Sequence, residues 1–171
     1  MTELPKRKLL RLSHYDYSQN GAYFLTICAR EKQPLFGRVV GGGVPDAPHM
    51  LLSAAGHIVE EQLLAITNHS PFLRLDCYVI MPNHLHMIVF VEGAPIGASG
   101  TPPPTRANQR IPHFVSTLKR FTNRDAGAQL WQRGYHDHII RSQRGYEQIW
   151  NYIQGNPHRW QEDCFYIKEV E

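Results

Sequence analysis

The chain has 171 residues, of which 42% are hydrophobic and 19% are charged. This composition excludes a disordered or fibrous chain and indicates one globular domain, spanning residues 1–171, with a sizeable core. The formal net charge of +3 permits an acidic partner without requiring one.

Three cysteines are present, at Cys28, Cys77 and Cys164, and none forms a CxxC pair. An odd number of cysteines in apolar surroundings argues against a disulfide framework, and the missing CxxC spacing argues against a structural zinc site. No apolar run reaches the ~18 residues of a membrane span, and no signal peptide pattern begins the chain. We therefore expect a cytoplasmic protein.

The first half of the chain predicts one helix and several strands. Strand patterns rich in β-branched and aromatic residues cover 23–30, 72–80 and 84–91, with a tight turn at Pro82-Asn83 between the last two. Residues 38–40 are either a short extension of the first strand or a hairpin arm. Ser53 is a suitable N-cap for a helix that ends near Thr67.

The second half predicts two further helices and a strand. Apolar spacing indicates a helix over 111–124, and a strand pattern follows over 130–141. Ser142 is placed to cap a final helix that ends near Gly155, before Asn156-Pro157. The aromatic residues after it are expected to pack back on the body.

The predicted order is strand, helix, strand, strand, helix, strand, helix. This is the split βαβ pattern of an α+β, ferredoxin-like fold, with an antiparallel sheet, helices on one face and an added C-terminal helix. Residues 1–12 are expected to form a basic arm, and the proline-rich segment 93–108 is expected to be a flexible loop.

His84 and His86 are the first candidate functional residues. Alternate strand residues share a face, so the two imidazoles lie about 7 Å apart along the strand on the same side. Such a pair can hold one divalent metal ion and leave its other positions open. A His-x-His strand also occurs simply as two polar residues on a half-exposed face.

Tyr152 and Asn156 are the second pair of candidates. They lie four residues apart on the final helix and therefore on one face of it. A tyrosine needs a nearby cation or base to act as a nucleophile, because its free pKa is near 10. The amide oxygen of Asn156 would complete a metal set with His84 and His86. Otherwise, Tyr152 is an ordinary helix tyrosine at the edge of a core.

Two groups of basic residues are candidate DNA contacts. One lies in the N-terminal arm and the other on the second predicted helix: Arg7, Lys8 and Arg11, and Lys119, Arg120 and Arg124. Both also fit a solvated tail and a solvated helix face. On a nucleic-acid-binding protein they would contact the phosphate backbone.

Several motifs together resemble the REP-associated tyrosine transposases, a branch of the HUH (His, bulky apolar, His) single-tyrosine transposases. They are Met-Pro-Asn-His-Leu-His at 81–86, Tyr-Asp-Tyr at 15–17, Gly-x-Tyr-Phe-x-Thr at 21–26, Leu-Phe-Gly at 35–37, Trp-Gln-x-Gly-Tyr-His-Asp-His at 131–138 and Tyr-Ile-x-x-Asn-Pro at 152–157. The segment 93–108 departs from this pattern.

The resemblance implies a ferredoxin-like enzyme that cuts and rejoins single-stranded DNA. Tyr152 would form a 5′-phosphotyrosine link, and His84, His86 and Asn156 would hold Mg²⁺ or Mn²⁺. The expected substrate is the DNA hairpin of a repetitive extragenic palindrome, and the protein would be associated with the nucleoid. Some members of the branch act on chromosomal repeats instead of moving themselves. The short connection before the final helix favours a tyrosine that acts within its own subunit, in a monomer rather than a homodimer.

Two other functions remain open on the sequence. The protein could bind DNA hairpins without cutting them, through its basic residues. It could also be a metal-dependent hydrolase of an unrelated class, but this would need an acidic general base near the histidines, and the sequence offers no obvious one.

Overall fold

The computed structural model describes residues 15–42, 47–93 and 109–167. Its helices are α1 (Ala54–His69), α2 (Arg110–Ala126) and α3 (Gln143–Gly155), with short 3₁₀ segments at Arg30–Lys32 and Pro157–Glu162. Its strands are β1 (Gly21–Cys28), β2 (Gly37–Val40), β3 (His49–Leu52), β4 (Leu73–Met81), β5 (His84–Val91) and β6 (His136–Ile140).

The main sheet has the strand order β4-β5-β1-β6, and every neighbouring pair is antiparallel. Taken with α1 between β1 and β4 and α2 between β5 and β6, this is the ferredoxin-like order. The predicted α+β fold with a split βαβ pattern is therefore confirmed. β5 is a central strand, and its first residue His84 pairs with Cys28 of β1 and with Met81 of β4.

The two faces of the sheet carry different layers. Leu85, Met87 and Val89 of β5 point into the main core, where α1 and α2 pack against the sheet. Because alternate residues point to opposite faces, His84, His86 and Ile88 face the other layer. There Ile88 packs with Ile153 of α3. The final helix thus covers the histidine face.

The start of α1 is fixed by Ser53, as predicted. The Ser53 side chain accepts a hydrogen bond from Gly56 N–H at 3.1 Å and donates one to the Leu35 carbonyl oxygen at 2.6 Å. A Cβ at Gly56 would run into the carbonyl oxygen of Phe36. A side chain at this position would therefore push α1 away from the segment before β2.

Of the two alternatives for residues 38–40, the structure shows the hairpin arm, since β2 pairs with β3 in a separate two-stranded sheet. One predicted strand differs from that observed. The strand predicted over 130–141 is shortened to β6, so its first part was predicted wrongly. Trp131 makes only an isolated bridge to Ala29, and its indole N–H donates to Thr122 Oγ1 in the core. This side-chain hydrogen bond, and not a run of strand pairing, holds the segment around Trp131 in place.

The predicted basic arm 1–12 and nearly all of the predicted loop 93–108 lie outside the described residues. In the three described stretches, no helix combines the length and the apolar character that crossing a membrane requires.

Candidate active site

The two histidines of β5 lie side by side and are buried. Their ring centroids are 4.3 Å apart, and their exposed fractions are 0% for His84 and 2% for His86. The turn before them is anchored at both residues. The N–H of Phe36 donates to the carbonyl oxygen of Pro82 at 3.0 Å, and the N–H of Ala29 donates to that of Asn83 at 2.8 Å.

A chain of hydrogen bonds determines the tautomer of His84. The Asn83 amide nitrogen donates to the carbonyl oxygens of Phe165 at 2.8 Å and Lys32 at 3.2 Å, which fixes the orientation of the amide group. Its oxygen Oδ1 therefore faces His84 Nδ1, 2.9 Å away, and accepts a hydrogen bond from the Nδ1–H group. His84 Nε2 is left with a free lone pair, and it has no hydrogen-bond partner among the described residues.

His86 is held between Thr26 and Tyr152. Its Nδ1 is 2.8 Å from the Thr26 hydroxyl, and its Nε2 is 3.2 Å from the Tyr152 hydroxyl oxygen. The Thr26 hydroxyl can donate or accept, so it supports either neutral tautomer of His86. His86 can thus present an N–H or a lone pair toward Tyr152.

Helix α3 brings Tyr152 and Asn156 to the histidines. Ser142 caps the helix, as predicted, by accepting a hydrogen bond from Gly145 N–H at 3.2 Å. Tyr152 is 37% exposed, so its phenol lies at the rim of the site, whereas Asn156 is buried. The predicted convergence of the tyrosine with the histidine pair is observed within one chain.

Asp163 also belongs to this site, although no sequence pattern predicts it. Its Oδ2 accepts hydrogen bonds from the Tyr152 hydroxyl at 2.8 Å and from Asn156 Nδ2 at 3.0 Å, and its Oδ1 accepts one from Phe165 N–H at 2.7 Å. The sequence offered no obvious carboxylate near the histidines, and the structure places Asp163 there. Asp163 follows the 3₁₀ helix after α3, where no periodic pattern marks a site.

Donor atoms suited to a divalent cation converge here. One atom each from His84, His86 and Asp163 lies within 4.8 Å of the others. The amide oxygen of Asn156 is buried and, like His84 Nε2, has no partner in the described part of the chain. Two unpaired buried acceptors beside a carboxylate are typical of a site that takes a cation. The donor set fits a metal with nitrogen and oxygen ligands.

Burial governs the charge state of the site. It lowers the pKa of His84 to about 4 and, together with His84 itself, that of His86 to about 3, so both are neutral ligands at pH 7. Burial and the bond to Asp163 raise the pKa of Tyr152. Burial also opposes ionisation of Asp163, but its hydrogen bonds from Phe165, Tyr152 and Asn156 lower its pKa overall.

Aromatic side chains from the segment after α3 pack against the rings of His84 and His86. The Phe165 ring lies 4.6 Å from the ring of His84 and 5.9 Å from that of His86, and the Trp160 ring lies 5.9 Å from that of His84. The prediction that the C-terminal aromatic residues pack on the body is confirmed for both side chains.

The predicted DNA contacts that the structure describes do not adjoin this site. Arg7, Lys8 and Arg11 lie outside the described residues. Lys119, Arg120 and Arg124 belong to α2, on the opposite face of the sheet. There the Lys119 amine donates to the carbonyl oxygens of Gln132 and Gly134, and Arg124 pairs with Asp125 at 2.6 Å. Their role in binding DNA stays a prediction.

Comparison with known proteins gives a relative in sequence and several neighbours in structure. No family model matches the chain. An uncharacterized protein of Haemophilus influenzae is 33% identical over 174 residues, which cover 94% of this chain and 93% of that protein.

A solved REP-associated tyrosine transposase, bound to a REP hairpin, superposes with a TM-score of 0.59 at 18% identity over 94% of this chain and 74% of its own. A putative transposase from Deinococcus radiodurans R1 gives 0.47 at 18% identity, over 85% of this chain and 95% of its own. The chain therefore belongs to the family of the Haemophilus influenzae protein and has the fold of the REP-associated tyrosine transposase, an HUH transposase-like fold.

Proposed function

We propose that this protein nicks and joins single-stranded DNA, with Tyr152 as the nucleophile. The observation that carries the proposal is the position of the Tyr152 hydroxyl, 3.2 Å from His86 Nε2 and 2.8 Å from Asp163 Oδ2. A tyrosine, a carboxylate and two neutral imidazoles within one site match the needs of phosphoryl transfer to a phenol.

In the proposed step, the Tyr152 oxygen attacks the phosphorus of a phosphodiester. The new bond is O–P, and the bond to the 3′ oxygen breaks, which leaves a 5′-phosphotyrosine and a free 3′-OH. The phenol proton leaves along its hydrogen bond to Asp163 and is taken up by water, and the leaving 3′ oxygen takes a proton from water. Attack by a 3′-OH on the phosphotyrosine reverses the step and rejoins the strand, so no nucleotide cofactor is consumed.

We assign the cation site to His84, His86 and Asp163, with the Asn156 amide oxygen as a fourth donor. A divalent ion such as Mg²⁺ or Mn²⁺ would polarise a phosphate oxygen and stabilise the charge that develops on it. The chain itself contributes the orientation. Thr26 and Asn83 hold the two imidazoles, and Asp163 aligns the phenol.

The phenol is accessible from solvent, but the imidazoles are covered. Phe165 packs against both rings, and we expect this side chain to move when a phosphate approaches the imidazoles. The related solved structure is bound to a REP hairpin. We accordingly propose a structured single-stranded DNA, such as a palindromic hairpin with an unpaired flank, as the substrate.

The test is covalent adduct formation. Purified protein is incubated with a labelled hairpin oligonucleotide that carries single-stranded flanks, with Mg²⁺ or Mn²⁺, and the products are separated under denaturing conditions. Wild type should give a protein–DNA adduct, and Tyr152→Phe should give none.

Tyr146→Phe is the matched control for Tyr152→Phe. Tyr146 lies on the same helix, but its hydroxyl donates to Asp76 at 2.7 Å, away from the histidines. Its variant should form the adduct as wild type does. An adduct that persists in Tyr152→Phe and disappears in Tyr146→Phe would refute the assignment. Hairpin binding without an adduct under either metal would instead support the non-cleaving alternative.

A further inference from the structure

A second concave surface lies beside the candidate active site and is not used by the chemistry described above. It is a groove of about 970 Å³ between the β2–β3 hairpin, the turn before β5 and the segment after α3. We call it the basic groove and define it by three cationic and two aromatic lining residues: Lys32, Arg38, Arg159, Trp160 and Tyr166.

The charge of the basic groove is predominantly positive. Its cations Lys32, Arg38 and Arg159 come from three separate elements, and Glu162 is the single acidic residue among the described lining residues. None of the three cations forms an ion pair with a carboxylate in the described part of the chain. Unpaired cations that line a concave surface attract a polyanion with regularly spaced charges.

The aromatic part of the groove connects it to the active site. Trp160 packs edge-to-face against Tyr166, with ring centroids 5.3 Å apart and planes at 85°. The indole of Trp160 also lies 5.9 Å from the ring of His84. A ligand that stacks on Trp160 in the groove would therefore lie next to the histidine pair.

Lys32 is held in the groove by an unusual backbone. Glu31 and Lys32 both have a φ of 56°, in the left-handed region of backbone conformation that residues other than glycine adopt rarely. The carbonyl oxygen of Lys32 accepts a hydrogen bond from Asn83 Nδ2 at 3.2 Å, and Asn83 also binds His84. Backbone strain of this kind is concentrated at functional sites. The same asparagine thus contacts the backbone of a groove residue and the side chain of a site histidine.

We propose that the basic groove binds a short segment of unpaired single-stranded DNA that adjoins the phosphate attacked by Tyr152. Phosphates would contact Lys32, Arg38 and Arg159, and one base would stack on Trp160. Unpaired bases can stack on protein aromatic rings, whereas bases inside a duplex are already stacked on each other. This proposal rests on the proposed function for the identity of the reacting strand.

The test measures binding in the Tyr152→Phe background, where cleavage does not interfere. The probe is a short, fluorescently labelled, mixed-sequence single strand, and its anisotropy is followed against protein concentration at several salt concentrations. Replacing Arg38 and Arg159 by alanine should weaken binding by at least about 10-fold. It should also reduce the salt slope by about 1.4, since each single-strand phosphate contact contributes about 0.7.

Trp160 tests stacking separately from charge. Trp160→Leu should weaken binding by about 10-fold, as loss of one stacked base does, and Trp160→Phe should retain most of the affinity. The charge control is Arg144→Ala. It removes an exposed cation near the start of α3, whereas the groove lies beyond the end of this 13-residue helix. Thermal unfolding of each variant establishes that the fold is kept.

Two results would overturn the groove proposal. One is that the Arg38/Arg159 double variant loses no more affinity than Arg144→Ala. The other is that a duplex of the same sequence binds as tightly as the single strand and is equally sensitive to Trp160→Leu.

The groove proposal and the proposed function fail in different ways. If wild type forms no adduct but the groove variants still lose affinity for the single strand, the groove proposal is supported and the nicking function is refuted. If wild type forms the adduct and the groove variants bind and cleave as wild type does, only the groove proposal is refuted.

Discussion

Thr26 should control metal binding although it does not lie among the donor atoms. Its hydroxyl is 2.8 Å from His86 Nδ1, in a buried environment. When His86 offers its Nε2 lone pair to a cation, Nδ1 carries the proton and needs an acceptor, which is Thr26 Oγ1. Thr26→Val keeps the shape of the side chain and removes that acceptor, so the Nδ1 proton is left buried and unpaired.

Thr26→Val should lower both the folding stability and the metal affinity of the protein. Leaving one buried polar group unpaired costs about 1–3 kcal/mol of folding stability. Loss of a hydrogen bond to a metal-bound histidine typically weakens metal affinity by about 10–100-fold. We therefore expect a variant that folds, binds Mn²⁺ about 10–100-fold more weakly and forms correspondingly less adduct at limiting metal concentration.

Thr122→Val is the matched control for this prediction. Thr122 is also fully buried, and its hydroxyl donates to the Leu118 carbonyl oxygen and accepts from the Trp131 indole, both at 2.8 Å. It lies on α2, on the opposite face of the sheet. Urea denaturation gives the stability of both variants, and isothermal titration with Mn²⁺ gives their affinities. Equal Mn²⁺ affinity in the two variants at comparable stability would refute the role of Thr26.

Two further predictions concern stability. Gly56→Ala should lower the free energy of unfolding by about 1–3 kcal/mol, as measured by urea denaturation. The new Cβ meets the Phe36 carbonyl oxygen, and this overpacking outweighs the higher helix propensity of alanine. Gly155→Ala is the control: its Cβ meets no other atom, so it should be neutral or stabilising. The metal-free protein should lose stability as the pH falls from 7 to 5, on the order of 2 kcal/mol for each of His84 and His86, because their lowered pKa values leave them neutral while the unfolded histidines take up protons below pH 6.5. His86→Gln should reduce this pH dependence, and an unchanged dependence would contradict it.

The elements that position the site could be predicted because their signals are local. Ser53 and Ser142 precede helices whose first turns offer unpaired N–H groups, and both act as N-caps. The alternation of β5 places His84 and His86 on one face whatever the rest of the fold does. The four-residue spacing of Tyr152 and Asn156 likewise requires only a helix.

Asp163 could not be predicted because its role depends on contacts that are distant in sequence. It lies in an irregular segment, where no period assigns a side chain to a face. Its position follows from bonds to Tyr152 and Asn156 of α3 and to the backbone of Phe165, whose ring packs on β5. The strand predicted at Leu130 failed for a similar reason, since Trp131 is anchored through its side chain to α2.

We expect each candidate site to be completed by the residues of a single chain. Tyr152 and His86 meet within one chain, and only Arg141 and Ser142 separate β6 from α3. Ile153 of α3 packs on Ile88 of the same sheet. A helix with so short a connection and its own apolar contact has little freedom to reach the sheet of another molecule, so the tyrosine should act on DNA held by its own histidines.

A complementation experiment tests this directly. Tyr152→Phe and His86→Ala proteins are each inactive in the adduct assay if the proposed function holds, and each retains the half of the site that the other lacks. An equal mixture should form no more adduct than the two proteins give separately. If α3 were exchanged between two subunits, random pairing would restore about a quarter of the wild-type sites, because half of the dimers would be mixed and one of their two sites complete. Recovery of that size would show that the tyrosine acts in the partner's site.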